Sequence, residues 1–464
     1  MAKLSVLDLG FFIAESQASP KHVGGLLIFK KPPKAPLNFV KNLYKEYLSF
    51  TEIQAPFNQL IKFSVSAMPA WQEAPSVDVA DHVFYHKLPS KSGGNTQEAL
   101  YELVAGFHTP MLDRSRPLWE VHVIDGLSGG RFALYQKMHH AYADGVTMAR
   151  WTAEGLSTSQ AAHELAPVWT LKHSGHAKKR EKLKNEVMQS TWALVAGNSR
   201  RLLGIGRLAA MLFLESVKLT KNAIALPFVS SAKTPLTGQV TSGRQFATAS
   251  ITMERVNDVR KRTRSTLNHV ALTCLDGALH RYLEDQGVKL AQPITIQMPV
   301  NLRKEGEKTA GNKIGIVQVE LSSPTEDPYV RLRNIGFSLR NVRTMVDSVS
   351  SEAIETYSLV TGLVAQLAEV LKLSNKMPPM GNTLVSNVPG PKDYMYLKGA
   401  RMEEMHPIST LPPSNLLNIT LFSYADKLFF GLIATDELPS LGKLAEYVDS
   451  AFTELEASVM QAHA

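Results

Sequence analysis

The stretch 131–148, RFALYQKMHHAYADGVTM, begins as a strand and ends as a helix. Phe132, Leu134, Gln136, Met138 and His140 fall on one side of an extended chain, and Ala133, Tyr135, Lys137 and His139 on the other. The two adjacent histidines therefore point opposite ways at the strand end. Asp144 and Gly145 stop the strand, and Val146, Met148, Ala149 and Trp151 open a helical pattern with Asp144 placed as its N-cap. A neutral imidazole, with an ordinary pKa of about 6.5, is a competent base near neutral pH, and a nearby carboxylate orients local structure or fixes a tautomer. An ordinary alternative stands beside this: paired histidines also close strands by hydrogen bonding to backbone.

Upstream, Trp119–Ile124 reads as a second strand, joined to the first by Asp125–Gly130, a glycine-rich turn of the kind that closes antiparallel hairpins. Gly126, Ser128 and Gly130 satisfy the GxSxG of serine hydrolases. That elbow needs a helix directly after the serine, whereas here another strand follows. Gly204, Gly206 and Ala209 fit a loose GxGxxA, but inside a helical pattern with no strand before it, which argues against a dinucleotide site. The P-loop, HExxH and Cys/His metal spacings are missing from the sequence, so no metal is expected.

Further out, a strand-like run at 24–30 and helical runs at 39–50 and 98–105 make the first 167 residues an α/β mixture. After residue 245 the same mixture returns, with strands expected at 248–253, 294–300, 314–321, 418–425 and 427–434, and helices at 256–264, 268–283, 354–373 and 440–460. The fold class is therefore α/β of the α+β type. Three parts are expected: an N-terminal domain over 1–170, a basic helical linker over 171–241 and a C-terminal domain over 242–464.

A chain of 464 residues, 44% hydrophobic, has material for two cores. The single Cys274 rules out an internal disulfide framework, fits a reducing compartment and, among Leu272, Leu275 and Ala278, reads as a buried thiol. No cleavable leader and no uncharged apolar run of about 18 residues is recognisable, so neither secretion nor membrane spanning is expected. The formal charge is +8, and residues 171–222 alone hold eleven Lys or Arg against three acids, which accounts for the whole excess. In that segment Arg200, Arg201, Arg207, Lys218 and Lys221 share one side of a helix, opposite Leu202, Ile205, Leu212 and Phe213. Such a helix either lies on an anionic membrane surface or packs its apolar face on the domains.

HHAYADG, His139–Gly145, resembles the HHxxxDG motif of the coenzyme-A-dependent acyltransferase superfamily. Three further motifs are similar in detail to the bacterial wax ester synthase/diacylglycerol acyltransferase family. Leu4–Phe12, LSVLDLGFF, matches its opening, Pro117-Leu118-Trp119 its PLW, and Asn387-Val388-Pro389-Gly390-Pro391 its NxPGP signature. The likeness covers essentially the full chain, in order.

That resemblance implies two chloramphenicol-acetyltransferase-like domains with mixed sheets, joined by a helical linker and meeting at a tunnel. It implies transfer of a long-chain acyl group from acyl-CoA to a fatty alcohol, giving a wax ester, or to diacylglycerol, giving a triacylglycerol. A different alcohol acceptor, such as a polyketide or sterol, and a non-catalytic lipid-binding relative are the alternatives. His140 is then the general base, with His139 in support and no covalent intermediate; strand phase agrees, since His140 shares its side with Phe132, Leu134 and Met138. Asp144 is implied to be structural. Arg303 is its expected partner, because Asn301-Leu302-Arg303 with Gly311-Asn312 resembles the NLR…GN of related acyltransferases. Asn268 is the candidate oxyanion donor, where the family carries Asn-Asp and this chain has Asn268-His269. Gly145, Pro117, Trp119, Asn387, Pro389 and Gly390 are expected to support the site structurally. No tightly bound cofactor is implied, and acyl-CoA enters as co-substrate. The expected setting is cytoplasmic, peripheral to a membrane or lipid inclusion, without nucleic acid.

Overall fold

The computed structural model describes residues 2–3, 11–12, 15–62, 69–89, 96–172, 228, 231–301, 314–348 and 351–462. The expected hairpin is present: β6 (Trp119–Leu127) and β7 (Arg131–His139) pair antiparallel, with Trp119 opposite Met138. Around it are β2 (His22–Lys30) and β5 (Val83–Lys87), and from much later in the chain β12 (Tyr396–Leu397) and β13 (Ala400–Ile408). They form one six-stranded mixed sheet in the order β12-β13-β2-β7-β6-β5. The second six-stranded sheet is drawn from β8 (Arg244–Thr252), β9 (Thr295–Asn301), β10 (Ile314–Glu320), β11 (Thr383–Pro389), β14 (Leu417–Tyr424) and β15 (Lys427–Thr435), in the order β10-β9-β11-β14-β15-β8. A small third sheet joins β1 (Ala2–Lys3), β4 (Ala70–Glu73) and β3 (Gln59–Lys62). The α/β expectation is met, and the strand β13 of the later half completes the sheet of the earlier one.

Eight helices are described: α1 (Phe39–Leu48), α2 (Thr96–His108), α3 (Gly145–Glu154), α4 (Met253–Thr263), α5 (Leu267–Asp285), α6 (Pro328–Ser348), α7 (Ser351–Val370) and α8 (Leu441–Ala462). Helices α5 and α8 cover the second sheet, burying Val270, Leu275, Leu279, Leu444, Val448 and Phe452 in its core. Helix α2 lies between the two sheets, where Leu100 and Val104 meet Leu26 and Tyr135 of the first and Phe246 and Ile433 of the second. Its Tyr101 hydroxyl reaches Thr248 Oγ1 at 2.7 Å.

The central strand β2, HVGGLLIFK, is apolar without alternation because both its faces are covered, and it is buried from His22 to Phe29. Gly24 is required there: a Cβ would stand 2.8 Å from the Tyr135 ring. Strand β7 alternates, yet it too is buried on both faces. Beside it the polar side chains Tyr135 and Lys137 are compensated at the end of α2, where the Tyr135 hydroxyl meets His108 Nδ1 at 2.7 Å and Lys137 Nζ donates to Phe107 O at 2.8 Å and Pro110 O at 2.7 Å. The basic segment, including 200–221 and the loose GxGxxA, falls largely outside the described residues.

Candidate active site around the paired histidines

Strand β7 ends at His139, one residue earlier than the alternation suggested. The His140 N–H leaves β7 for Lys21 O at 2.8 Å, and Tyr142 N–H returns to His139 O at 2.9 Å, forming a tight turn. Asp144 then caps α3 as expected, its Oδ1 accepting from Thr147 N–H at 2.7 Å. An N-cap of this kind contributes about 1 kcal/mol and fixes where the helix begins.

The two imidazoles differ sharply. His139 is fully buried, whereas His140 is half-buried. Each is flanked by one of two consecutive phenylalanines: Phe12 stacks on His139 with ring centres 4.2 Å apart, and Phe11 on His140 at 4.3 Å. The Ala141 N–H donates to His139 Nδ1 at 3.1 Å, so the ring proton sits on Nε2, which points to Glu15 Oε1 at 3.6 Å. Glu15 also accepts from Lys21 N–H and from Arg114 Nη2, each at 2.9 Å. Burial pulls its pKa upward, but the His139 imidazole, the Lys21 amide and the Arg114 guanidinium outweigh that and hold the carboxylate at about 2.

The PLW segment braces this turn from below. Leu118 O accepts from His139 N–H at 3.0 Å, and Leu118 N–H donates to the Tyr142 hydroxyl at 3.0 Å, which itself donates to Gln59 O. Trp119 is buried, donates Nε1–H to Phe57 O at 2.8 Å and stacks on Trp169. Pro117 enters through its neighbours in this brace.

From the second sheet, β11 brings the NVPGP segment to the same place. Gly145 faces Val388, whose Cγ2 a Cβ on that glycine would meet at 3.8 Å. Asn387 Nδ2 donates to Asn268 Oδ1, at the start of α5, at 2.6 Å. Pro389 closes β11 opposite Ser423, and Gly390 N–H bonds Ser423 O at 2.9 Å. Strand β11 thus links the turn after the histidines to the start of α5, through Val388 beside Gly145 and Asn387 bonded to Asn268. Arg303 lies outside the described residues.

Ser128 sits in the turn between two strands, hydrogen-bonded to Thr96, without the helix a hydrolase elbow requires. Cys274 is buried in the core of the second half, where burial pushes its thiol pKa far up. Among the described residues no helix is long and apolar enough to cross a membrane.

Glu15 and Arg114 belong to none of the motifs, and Phe11 and Tyr142 lie within two of them without a role of their own being assigned. Glu15 lies 124 positions from His139 in sequence, and a lone carboxylate after two phenylalanines carries no sign of the partner it will meet.

Comparison with known proteins adds to this geometry. The model of the wax ester synthase/diacylglycerol acyltransferase catalytic domain matches residues 4–271, and that of the WS/DGAT C-terminal domain matches 310–456. A Mycobacterium tuberculosis protein bearing a provisional diacylglycerol O-acyltransferase name is 32% identical, over 98% of this chain and all of its own. The O-acyltransferase WSD of Acinetobacter baylyi is 29% identical, over 99% and 98%. The structure of the wax ester synthase/diacylglycerol acyltransferase of Marinobacter aquaeolei superimposes with a TM-score of 0.77 at 28% identity, covering 99% of this chain and all of that one. The first condensation domain of the calcium-dependent antibiotic synthetase shares the fold, with a TM-score of 0.59 at 13% identity, over 99% and 96%.

Proposed function

The chain belongs to the wax ester synthase/diacylglycerol acyltransferase family and is an acyltransferase, and we propose that His140 is the base with which it moves a long-chain acyl group from acyl-CoA to a fatty alcohol or diacylglycerol. The observation that carries this is the division of labour between the imidazoles. His139 is sealed, with Nδ1 accepting from the Ala141 N–H and Nε2 facing the Glu15 carboxylate 3.6 Å away, whereas His140 keeps partial exposure beside an apolar ring suited to aliphatic substrates.

In this mechanism the His140 imidazole takes the alcohol proton as the oxygen attacks the thioester carbonyl. The tetrahedral intermediate collapses by breaking the carbon–sulfur bond, and the imidazolium returns the proton to the leaving thiolate. No covalent enzyme intermediate forms. Asn268 is the proposed oxyanion donor: its Oδ1 is occupied by Asn387, which turns its Nδ2–H groups to other acceptors. Glu15, Leu118 and Asp144 hold the turn that aims His140.

The chain is proposed to work as two acyltransferase-like halves, 1–170 and 242–464, around a basic segment, associated peripherally with a membrane or lipid inclusion where its water-insoluble acceptors reside. Product formation from palmitoyl-CoA with hexadecanol or with diacylglycerol tests the reaction. Ester made by the native chain and lost in His140→Ala supports it; undiminished ester from that variant refutes His140 as the base, and no ester with either acceptor refutes the acceptor class.

A further inference from the structure

The strand pair that ends in the histidines begins, about 26 Å away at eight residues of roughly 3.3 Å each, in a cluster of cations. Lys30 of β2 stands directly between Arg401 of β13 and Arg131 of β7, and Tyr396 of β12 lies opposite Arg401. Like charges placed opposite one another on neighbouring strands repel. Lys31 and Lys34 follow in the loop to α1, and Lys34 holds a left-handed backbone at φ 64°. Carboxylates answer three of these five: Asp125 is 2.9 Å from Lys31, Glu403 3.1 Å from Arg401 and Glu404 3.6 Å from Arg131. Lys30 reaches only the Gly129 carbonyl, and neither it nor Lys34 meets a carboxylate among the described residues.

Lys30, Lys31, Lys34 and Arg401 wall an open cleft of about 530 Å³, with Tyr396 and Gly399 also lining it. The loop lines it as far as Ala35 and then continues through Pro36 to Leu37, which is 101% exposed, an isobutyl group standing in water. The prolines restrict the backbone on either side. A soluble anion would neutralise the cleft and leave Leu37 wet. An anionic phospholipid surface complements both features, since phosphates meet the cations and an apolar tip enters the boundary with the acyl chains.

We propose that this cleft binds the phosphate headgroup of an anionic phospholipid, with Leu37 inserted beside it, so that the end of the first sheet remote from the histidines docks on a lipid surface. The proposal deepens the peripheral association stated above and rests on it, but it is independent of the acyl-transfer chemistry.

Co-sedimentation of the full chain with phosphatidylcholine vesicles, with and without phosphatidylglycerol, tests it. At about a fivefold loss per cation near such a surface, the double variant Lys30→Gln/Lys34→Gln is expected to partition roughly thirtyfold less onto the anionic vesicles, and Leu37→Ser several-fold less. Ester synthesis from detergent-dispersed substrates should be unchanged in both. A companion variant, Arg200→Gln/Arg201→Gln/Arg207→Gln, separates this cleft from the basic segment. Binding lost there but kept in the Lys30/Lys34 variant would overturn the cleft and leave peripheral association standing; a native chain that ignores anionic vesicles would overturn both. Inorganic phosphate stabilising the native chain but not the Lys30/Lys34 variant, without vesicle binding, would make this a site for soluble anions and overturn the docking.

Discussion

Glu15 Oε1 lies 3.6 Å from His139 Nε2, with both side chains sealed from solvent, so a carboxylate near the start of the chain faces the ring edge that carries the proton of a histidine 124 residues later. Glu15 is fully committed in turn, to the Lys21 amide and the Arg114 guanidinium. The arrangement makes His139 a rigid prop for the turn that carries His140.

Acid stability follows from that pairing. The carboxyl is held at about 2, below its ordinary value near 4.3, so ionised Glu15 favours the folded state. Its contribution is complete above the unfolded pKa and is lost as pH falls from about 4.5 toward 2, by up to about 3 kcal/mol. Urea unfolding between pH 6 and 3 should show this decline in the native chain and a flatter profile in Glu15→Gln. Parallel profiles would remove Glu15 from the list of stabilising carboxylates.

The two histidines should separate kinetic from structural loss. His140→Ala is expected to lower the rate about 10²–10⁴-fold with little change in melting temperature, because His140 is half-buried and serves as the base. His139→Ala empties a fully buried site stacked on Phe12 and should destabilise the fold by about 2–5 kcal/mol. Equal melting temperatures for the two variants would contradict this assignment.

Much of this was legible from sequence, for definite reasons. The β6–β7 hairpin, the Asp144 cap and the helix at 267–285 are local features, set by alternation, a glycine-rich turn and capping chemistry. The motif residues were recognisable individually, and the contact between Asn387 and Asn268 shows how two of them meet. What sequence withheld is long-range. Nothing in the run Ala400–Ile408, ARMEEMHPI, says that it will pair with β2, and its register of Arg401 opposite Lys30 exists only once the halves have assembled. The Glu15–His139 pair is hidden for the same reason.

Gly390 is a steric requirement. A Cβ there would stand 2.5 Å from Ser423 O and closer still to the Phe422 ring, both parts of the buried β14. Gly390→Ala must push β11 and β14 apart, at a cost of about 1–3 kcal/mol or more. Because β11 also presents Asn387 and Val388 to the site, activity should fall along with the urea midpoint. An unchanged midpoint would show that this turn yields freely.

Asn387 offers a gentler probe. It is exposed, so Asn387→Ala should leave the melting temperature within a degree or two, while Asn268 loses the 2.6 Å bond that orients its amide. With Asn268 as oxyanion donor, the expected loss is in turnover more than in KM, smaller than the roughly 10²–10³-fold loss of Asn268→Ala itself. Full turnover in Asn268→Ala would move the oxyanion donor elsewhere.

Lys137 gives a signature at the opposite end of the pH scale. Its side chain is completely buried, two residues before His139; burial is the main influence on its ammonium, and despite Glu120 3.7 Å away its pKa is lowered to about 8. A lysine whose folded pKa lies below its unfolded value near 10.4 binds its proton more tightly when unfolded, so the folded state gains stability as pH rises from about 8 toward 10. Lys21, likewise buried and lowered to about 8, works in the same direction. Stability measured by urea unfolding should therefore climb over that window before tyrosine ionisation in the unfolded chain reverses the trend. Lys137→Met should remove about half of the climb, and it should also lower stability at pH 7 by leaving the Phe107 and Pro110 carbonyls without their donor. A flat native profile between pH 8 and 10 would mean that the two ammonium groups are better solvated than their burial implies.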